Sequence, residues 1–150
     1  MPQSLVKNYV HITFSTKNRY PFIDENIEKE LYSYIGAICR EYECYPVKIG
    51  GYKDHIHILC LLSRKMALMN LIEKIKSHSS KWIKTKGKCF ELFFWQRGYG
   101  CFSVCQNAVK RVEMYIENQK QHHNKDTFKK EYLKLLQKND IDFEEKYVWD

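Results

Sequence analysis

The stretch from Asp54 to Ile58 alternates histidine with isoleucine, and this pattern constrains the fold more than any other in the chain. In an extended strand successive side chains point to opposite faces, so His55 and His57 project from one face. Ile56 and Ile58 project from the other. Two imidazoles on one face make half of a metal site, whereas the alternative is a pair of half-buried histidines that are each hydrogen-bonded to a neighbour. Residues from elsewhere in the chain are needed to decide between a metal site and a hydrogen-bonded pair of histidines.

Periodic patterns predict the remaining elements. Alternation predicts strands over residues 9–15, 47–52 and 55–62, and one or two short strands within residues 93–104. Apolar residues at helical spacing predict helices over residues 27–40, from 68 with its last apolar position at Ile83, from Ser103 or Gln106 to about 122, and over 128–138. This order is typical of an α+β fold, a ferredoxin-like sandwich with the helices packed on one face of an antiparallel sheet. The other face, with its histidines, is then partly free.

Length and composition indicate a single domain over residues 1–150, with a core of ordinary size. No apolar run approaches the ~20 residues of a membrane span, and the N-terminus lacks a secretory pattern. We therefore expect a cytoplasmic protein that does not contact a membrane. The six cysteines form no C-x-x-C pair, which favours reduced thiols over a structural zinc site.

Positive charge is concentrated in the middle of the chain. The net charge is +7, and eight Lys and Arg residues accompany a single acid between Arg64 and Lys88. Such a segment favours a polyanionic partner, although a solvated helix face has the same composition. Lys74, Lys76, Lys81 and Lys84 are the candidates for contacts with the phosphates of such a partner, with Arg97 and Tyr99 as further candidates near a turn.

A tyrosine and a glutamine lie at helical spacing in the C-terminal half of the chain. Tyr115 and Gln119 are four positions apart in a predicted helix, so they stand one turn above each other. A divalent cation held by two imidazoles and an oxygen ligand can polarise a phosphodiester. A tyrosine beside that cation can act as the nucleophile and form a phosphotyrosine bond.

Two motifs and four further blocks resemble a known family. His55-Ile56-His57 resembles the HUH motif, and Tyr115 to Gln119 followed by Lys-Gln-His-His resembles the tyrosine helix of the one-tyrosine HUH transposases. These are the small TnpA-like enzymes of the insertion sequence two hundred and six hundred-and-five group, with REP-associated tyrosine transposases as a sister branch. The resemblance extends over the blocks at residues 9–17, 50–57, 79–82, 95–100, 115–123 and 147–149.

The resemblance implies an activity and a site. It implies His55, His57 and Gln119 as ligands of Mg²⁺ or Mn²⁺, and Tyr115 as the catalytic nucleophile. It further implies a transposase that cleaves and rejoins single-stranded DNA at insertion-sequence ends through a 5′-phosphotyrosine intermediate. The expected partners are single-stranded DNA with hairpins and a second copy of the chain, with active sites that can combine residues of both subunits.

Two alternatives use the same residues differently. One is a host REP-associated protein that binds hairpin DNA with little or no cleavage. The other is a metallohydrolase that attacks with a bound water and therefore forms no covalent adduct. Covalent capture of DNA at Tyr115 distinguishes the transposase from both.

Overall fold

A four-stranded antiparallel sheet lies at the centre of the structure, a computed structural model that describes residues 2–150. The strands are β1 (Tyr9–Ser15), β2 (Pro46–Tyr52), β3 (His55–Leu61) and β4 (Gly100–Val104), in the order β2-β3-β1-β4. The helices in these residues are α1 (Glu28–Glu41), α2 (Leu68–Lys84), α3 (Val109–Glu117), α4 (Gln119–His122) and α5 (Phe128–Lys138). The first six elements run β-α-β-β-α-β, as in ferredoxin-like folds, so the predicted α+β class is confirmed.

The pairing of β1 with β3 creates one polar face. Thr13 lies opposite His57, and Ser15 lies opposite His55, in an antiparallel register without a shift. Residues directly opposite each other share a sheet face, and His11 joins them because it lies two positions before Thr13. The two strands therefore bring three imidazoles to one side of the sheet.

The other sheet face packs against α1 and α2 through the main hydrophobic core. Ile12, Phe14, Ile56 and Ile58 are fully buried beneath these helices. The helices contribute Leu31, Ile35, Leu71 and Ile75, also fully buried, from the apolar stripes that their sequences predict. This layer accounts for most of the apolar core and holds the sheet in place.

The polar face is covered as well, which the sequence did not predict. Gly50 of β2 lies against Ile116 of α3, and the ring of His55 stacks on Phe128 of α5 with centroids 4.3 Å apart. A second cluster joins Phe102 of β4 to the α5 residues Phe128, Tyr132 and Leu136. Thus α1 and α2 lie on the predicted face, whereas α3 to α5 cover the other, because α5 has an apolar stripe that packs on β4. The histidines lie between the sheet and these helices.

A local signal explains where α1 begins. Asp24 Oδ1 accepts hydrogen bonds from the backbone N–H groups of Asn26 and Ile27, at 2.8 and 3.1 Å, just before α1 begins.

Two predicted elements differ from the observed ones. The predicted third helix is divided at Asn118, which has φ −92° and ψ 18°. Of residues 93–104, the strand contains only Gly100–Val104, and Trp95 forms an isolated bridge with Thr16.

Two composition-based predictions concern the cysteines and the membrane. The six cysteines are unpaired, and Cys39, Cys44 and Cys60 are buried as predicted, whereas Cys89 and Cys105 are exposed. Among residues 2–150, no helix combines the length and the apolarity that crossing a membrane requires. The single-domain organisation stays a prediction.

The close approach of α3 to β2 yields a stability prediction. A Cβ added at Gly50 would lie 2.9 Å from Ile116 Cγ2 and 3.1 Å from the Ile116 carbonyl oxygen. Because a backbone atom cannot simply rotate away, we expect Gly50→Ala to lower the free energy of unfolding by about 1–3 kcal/mol. Urea unfolding followed by circular dichroism measures the change.

Gly36→Ala is the matched control. Gly36 lies in α1, where the nearest atom to an added Cβ is the flexible end of Arg40 at 3.2 Å. Replacing a helical glycine with alanine stabilises by about 0.5–1 kcal/mol. Equal stability of the two variants would contradict the proposed contact between α3 and β2.

Candidate metal centre and tyrosine site

His55 and His57 each have one ring nitrogen held by an outer partner. His55 Nδ1 lies 2.8 Å from Asp54 Oδ1, and His57 Nδ1 lies 2.8 Å from Nε2 of His11. Both β3 histidines are completely buried. Their Nε2 atoms are therefore turned away from these partners and towards α4 and α5. Outer partners of this kind fix the ring orientation of metal-binding histidines.

Gln119 and Tyr115 both reach this cluster from the covering helices. Gln119 Oε1 lies 2.9 Å from His55 Nε2, and the amide is almost completely buried. The Tyr115 ring centroid lies 5.7 Å from that of His57 within the same chain. The structure thus brings together His55, His57, Gln119 and Tyr115, although the interruption at Asn118 separates α3 from α4. Their chemical roles stay predictions.

The centre of the cluster is Glu131 of α5, which the sequence analysis missed. Its Oε1 lies 3.3 Å from Nε2 of both His55 and His57. Its Oε2 accepts hydrogen bonds from Gln119 Nε2, at 2.9 Å, and from the Tyr115 hydroxyl. A signal existed, because Glu131 follows Phe128 by three positions and therefore places a charge on the buried stripe of α5.

The electrostatics favour an ionised carboxylate at this centre. Burial favours the neutral acid, but the field of His57 and hydrogen bonds from His123 and His55 hold the pKa of Glu131 below its usual range. Burial likewise opposes a charge on His55, yet hydrogen bonds to Asp54 and Glu131 raise its pKa to about 9. The site therefore stabilises positive charge around one buried anion.

Three further groups, His11, His57 and Tyr115, are held neutral. Burial, followed by the neighbouring His57, lowers the pKa of His11 to about 3. Burial also lowers the pKa of His57. Burial and the Glu131 carboxylate raise the pKa of the Tyr115 phenol above its ordinary value. Without further positive charge nearby, Tyr115 is therefore a protonated phenol that donates its hydrogen bond to Glu131.

Three donor atoms lie close enough together to hold a divalent cation. The ligand atoms of His55, His57 and Glu131 all lie within 4.8 Å of one another. Two atoms bound at about 2.1 Å from one ion and at right angles are about 3 Å apart, which is close to the observed separations. Imidazole nitrogens and carboxamide or carboxylate oxygens suit Mn²⁺, and the oxygens suit Mg²⁺. The residues present therefore fit the predicted ion.

The candidate DNA contacts on α2 fall into two groups. Lys74 and Lys81 are exposed, whereas Lys76 and Lys84 donate to nearby backbone carbonyls. Lys76 Nζ donates to the carbonyls of Gln96, Arg97 and Gly98, at 2.8, 2.9 and 2.8 Å. Lys84 Nζ donates to Ser80 Oγ at 2.8 Å and to the Phe93 carbonyl at 2.7 Å. All four lie on the opposite side of the sheet from the histidines, and their DNA contacts stay predictions.

Two cavities lie beside candidate residues. Arg97 and Tyr99 line one of about 450 Å³ next to Lys76. The other, of about 410 Å³, opens beside Tyr115 and His11 and is also lined by Arg111 and Lys138. Sequence patterns did not single out these two cations, because each is an ordinary exposed position on its own helix.

The chain is similar to known transposases in sequence and in structure. Residues 4–119 match the family described as transposase, IS200 like. A search of curated proteins gives no match. A candidate transposase from Deinococcus radiodurans R1 has a similar structure, with TM-score 0.62, 18% identity, and coverage of 79% of this chain and 96% of that one. A REP-associated tyrosine transposase bound to a REP hairpin has TM-score 0.60, 14% identity, and coverage of 82% of this chain and 73% of that one.

The family match spans well over half of the chain. The chain therefore belongs to the IS200-like transposase family, and the predicted family is confirmed. At these identities the two solved structures show a shared fold. Because transposases process DNA, family membership places the chain among the DNA-processing enzymes.

The partly buried ammonium of Lys76 yields a stability prediction that distinguishes Lys76 from the exposed lysines of α2. We expect Lys76→Met to lower the free energy of unfolding by about 1–3 kcal/mol, because three backbone carbonyls lose a charged donor. Lys81→Met, on the exposed side of α2, should change it by less than about 0.5 kcal/mol. Urea unfolding compares the two, and unchanged stability of Lys76→Met would show that its hydrogen bonds contribute nothing to the fold.

Proposed function

We propose that this chain is a transposase that cleaves and rejoins single-stranded DNA at insertion-sequence ends through a 5′-phosphotyrosine intermediate. One observation carries the proposal: the Tyr115 hydroxyl and the predicted ligands His55, His57 and Gln119 converge within one chain around Glu131. A nucleophile beside a cation-binding cluster is the arrangement that phosphodiester transfer requires. Family membership supports the same reaction class.

The chemical step is an attack by Tyr115 on the scissile phosphate. The phenol oxygen forms a bond to phosphorus, the bond from phosphorus to the 3′ oxygen breaks, and the product strand ends in a 3′-hydroxyl. The phenol proton, which is hydrogen-bonded to Glu131 Oε2 before the attack, leaves as the bond to phosphorus forms, and the departing 3′ oxygen takes up one proton, so that the step neither gains nor loses protons overall. Rejoining reverses the step with another 3′-hydroxyl, so the phosphotyrosine bond conserves the energy and no ATP is consumed.

His55, His57 and Gln119 are the residues that would hold Mg²⁺ or Mn²⁺. The bound ion would polarise the phosphodiester and stabilise negative charge on its oxygens. The protein fixes the ligand orientation through Asp54 and His11, which hold the outer nitrogens of the two histidines. The covering helices exclude water from the cluster.

The proposed substrate is single-stranded DNA with hairpins. The related solved protein bound to a REP hairpin supports hairpin binding and favours a second candidate function, host hairpin binding without cleavage. Arg111 and Lys138, beside the cavity at Tyr115, add positive charge where a strand would enter. We further propose a homodimer, which sedimentation of the purified chain can test.

Covalent capture is the decisive test of the proposed reaction. A single-stranded end labelled on the 3′ side of the cut, incubated with the protein and Mg²⁺ or Mn²⁺, should yield a labelled protein band in denaturing gels. Tyr115→Phe should abolish this band, because it removes the attacking oxygen and leaves the ring.

Tyr34→Phe is the matched control, since Tyr34 stacks on Trp82 in the other helix layer. It should retain the adduct at the wild-type level. An undiminished adduct in Tyr115→Phe would exclude Tyr115 as the nucleophile. Hairpin binding without any adduct would favour the host binding protein, and cleavage without capture would favour the metallohydrolase.

Salt dependence tests the exposed lysines of α2. If Lys74 and Lys81 each neutralise a phosphate, the double variant Lys74→Met, Lys81→Met should flatten the slope of log affinity against log salt by about 1.4, at about 0.7 per contact on a single strand. Fluorescence anisotropy with a labelled, unstructured single-stranded oligonucleotide measures the slope. The charge-matched pair Lys29→Met, Lys146→Met should leave it nearly unchanged, and equal slopes for both pairs would rule out specific contacts by α2.

A further inference from the structure

An exposed aromatic side chain, Phe94, lies in the loop that leads to β4. Its neighbours Phe93 and Trp95 are buried in the main core, whereas Phe94 is 52% exposed. The Lys84 ammonium lies 4.5 Å from the centroid of the Phe94 ring. A cation beside an aromatic ring that water can reach is typical of surfaces that bind unpaired nucleic-acid bases.

Phe94 lines a cavity of about 540 Å³, a volume in the range of small-molecule sites. Lys17, Arg97 and Trp149 also line it, so two cations and two aromatic rings border one space. Asp150 is the one acidic residue in the lining that the described structure provides. The lining therefore combines an aromatic surface for a base with cations for a phosphate.

Gln96 adds a buried polar group to the wall of this cavity. Gln96 is 2% exposed, and its Oε1 accepts a hydrogen bond from the Ser15 backbone N–H at 2.8 Å, which fixes the orientation of the amide. Among residues 2–150 its Nε2 has one hydrogen bond, to the Asp150 carbonyl oxygen at 3.5 Å. A buried amide normally uses both of its N–H groups. The second N–H of Gln96 is therefore available to a base edge or a phosphate oxygen.

The cavity lies at the end of the sheet that carries His55. β1 ends opposite His55, and the backbone N–H of the next residue, Thr16, donates to the Asp54 carbonyl oxygen at 2.8 Å. Lys17 follows at once, and its backbone N–H donates to the Phe94 carbonyl oxygen at 2.8 Å. Since two residues of extended chain span at most about 7 Å, the cavity is close to the candidate metal centre.

The two aromatic rings of the cavity belong to opposite layers of the fold. Lys84, the cation beside Phe94, is the last residue of α2, which packs on the sheet face opposite to the histidines. Trp149 packs against the second cluster on the histidine side, and the Lys129 ammonium of α5 lies 5.3 Å from its ring centroid. The cavity therefore connects the basic surface of α2 with the histidine face around one end of the sheet.

We infer that this cavity binds an unpaired nucleotide of the DNA substrate, with the base stacked on Phe94 and the phosphate at Lys17 and Arg97. The inference rests on the proposed function, in which single-stranded DNA is the substrate, and adds the route of the strand. Lysines of α2 can then contact the same strand that reaches the histidines on the other side of the sheet. Because every base has an aromatic face, the cavity accepts any base.

Oligonucleotide binding in the absence of metal tests the stacking. Fluorescence anisotropy in a chelating buffer compares labelled oligothymidine with an abasic strand of equal length, which keeps the phosphates and lacks the bases. Phe94→Ala should weaken oligothymidine binding at least about fivefold, the lower end of what one stacked base contributes. It should leave binding of the abasic strand within about twofold of wild type.

The two cations give a different result in the same assay. Lys17→Met and Arg97→Met should each weaken binding of both strands, because a phosphate contact does not depend on the base. Each should also flatten the slope of log affinity against log salt by about 0.7. An unchanged slope in both variants would contradict the phosphate contacts of the inference.

Tyr45→Ala is the matched control for Phe94→Ala. Tyr45 is 56% exposed and directly precedes β2, whose first residue pairs with Cys60 at the end of the sheet away from His55. The control should bind oligothymidine as wild type does. Unchanged oligothymidine binding by Phe94→Ala overturns the inference, as does an equal loss in Tyr45→Ala or an equal loss on the abasic strand.

A crosslinking measurement on the wild-type chain does not depend on the folding of any variant. Irradiation of the complex with an oligonucleotide that contains iododeoxyuridine joins a base to an aromatic ring on which it is stacked, and mass spectrometry locates the bond. A crosslink at Phe94 supports the inference. Crosslinks at other residues alone, or no crosslink, overturn it.

Failure of the proposed function gives a distinguishable pattern. The DNA adduct would then be absent or independent of Tyr115, while Phe94→Ala still discriminates oligothymidine from the abasic strand. Failure of the inference removes that discrimination and leaves the adduct dependent on Tyr115.

Discussion

A buried, ionised carboxylate organises this structure. Glu131 is 2% exposed, and moving an unpaired carboxylate to such a position costs several kcal/mol. The cost is offset by imidazoles from β3 and from His123 directly after α4, by the Gln119 amide and by the Tyr115 hydroxyl. Removing one partner of a buried charged pair typically destabilises by about 3–5 kcal/mol. Glu131 therefore links the sheet to all three covering helices, and each contact that neutralises it also orients a candidate functional group.

The sheet provides the rigid half of the site. β3 lies between β2 and β1, so its backbone is hydrogen-bonded on both sides, and its histidines cannot shift without breaking two ladders. The unshifted register also places His11 where it holds His57 Nδ1. Underneath, the apolar face is packed against α1 and α2. The helix side is more adjustable, because α4 is a single turn that is separated from α3 at Asn118.

Sequence patterns predicted the strands, the helices and the face of the sheet that carries the histidines, because these depend on local periodicity. The strand alternation identified the histidine face, and apolar spacing located α5 at its observed bounds, Phe128–Lys138. The contact between His57 and Glu131 spans 74 positions, so no local pattern encodes it. The charge of Lys76 likewise suggested a solvated or DNA-binding side chain, yet its ammonium is bound by backbone carbonyls from a loop about twenty positions later. Tertiary packing decided both cases, and for the same reason α3 to α5 were not predicted to cover the histidine face.

Most of the candidate site residues lie in one continuous segment, from Tyr115 to Glu131. This one segment holds the nucleophile, Gln119, His123 and Glu131, whereas β3 holds only the two remaining histidines. Within one chain the Tyr115 ring lies 5.7 Å from that of His57, so a single copy brings the tyrosine and the histidines together. If two copies exchange tyrosines, Tyr115 cannot leave alone without breaking its hydrogen bond to Glu131. The physically consistent exchange moves the whole segment, so nucleophile and oxygen ligands would pass to the partner's histidines as one unit.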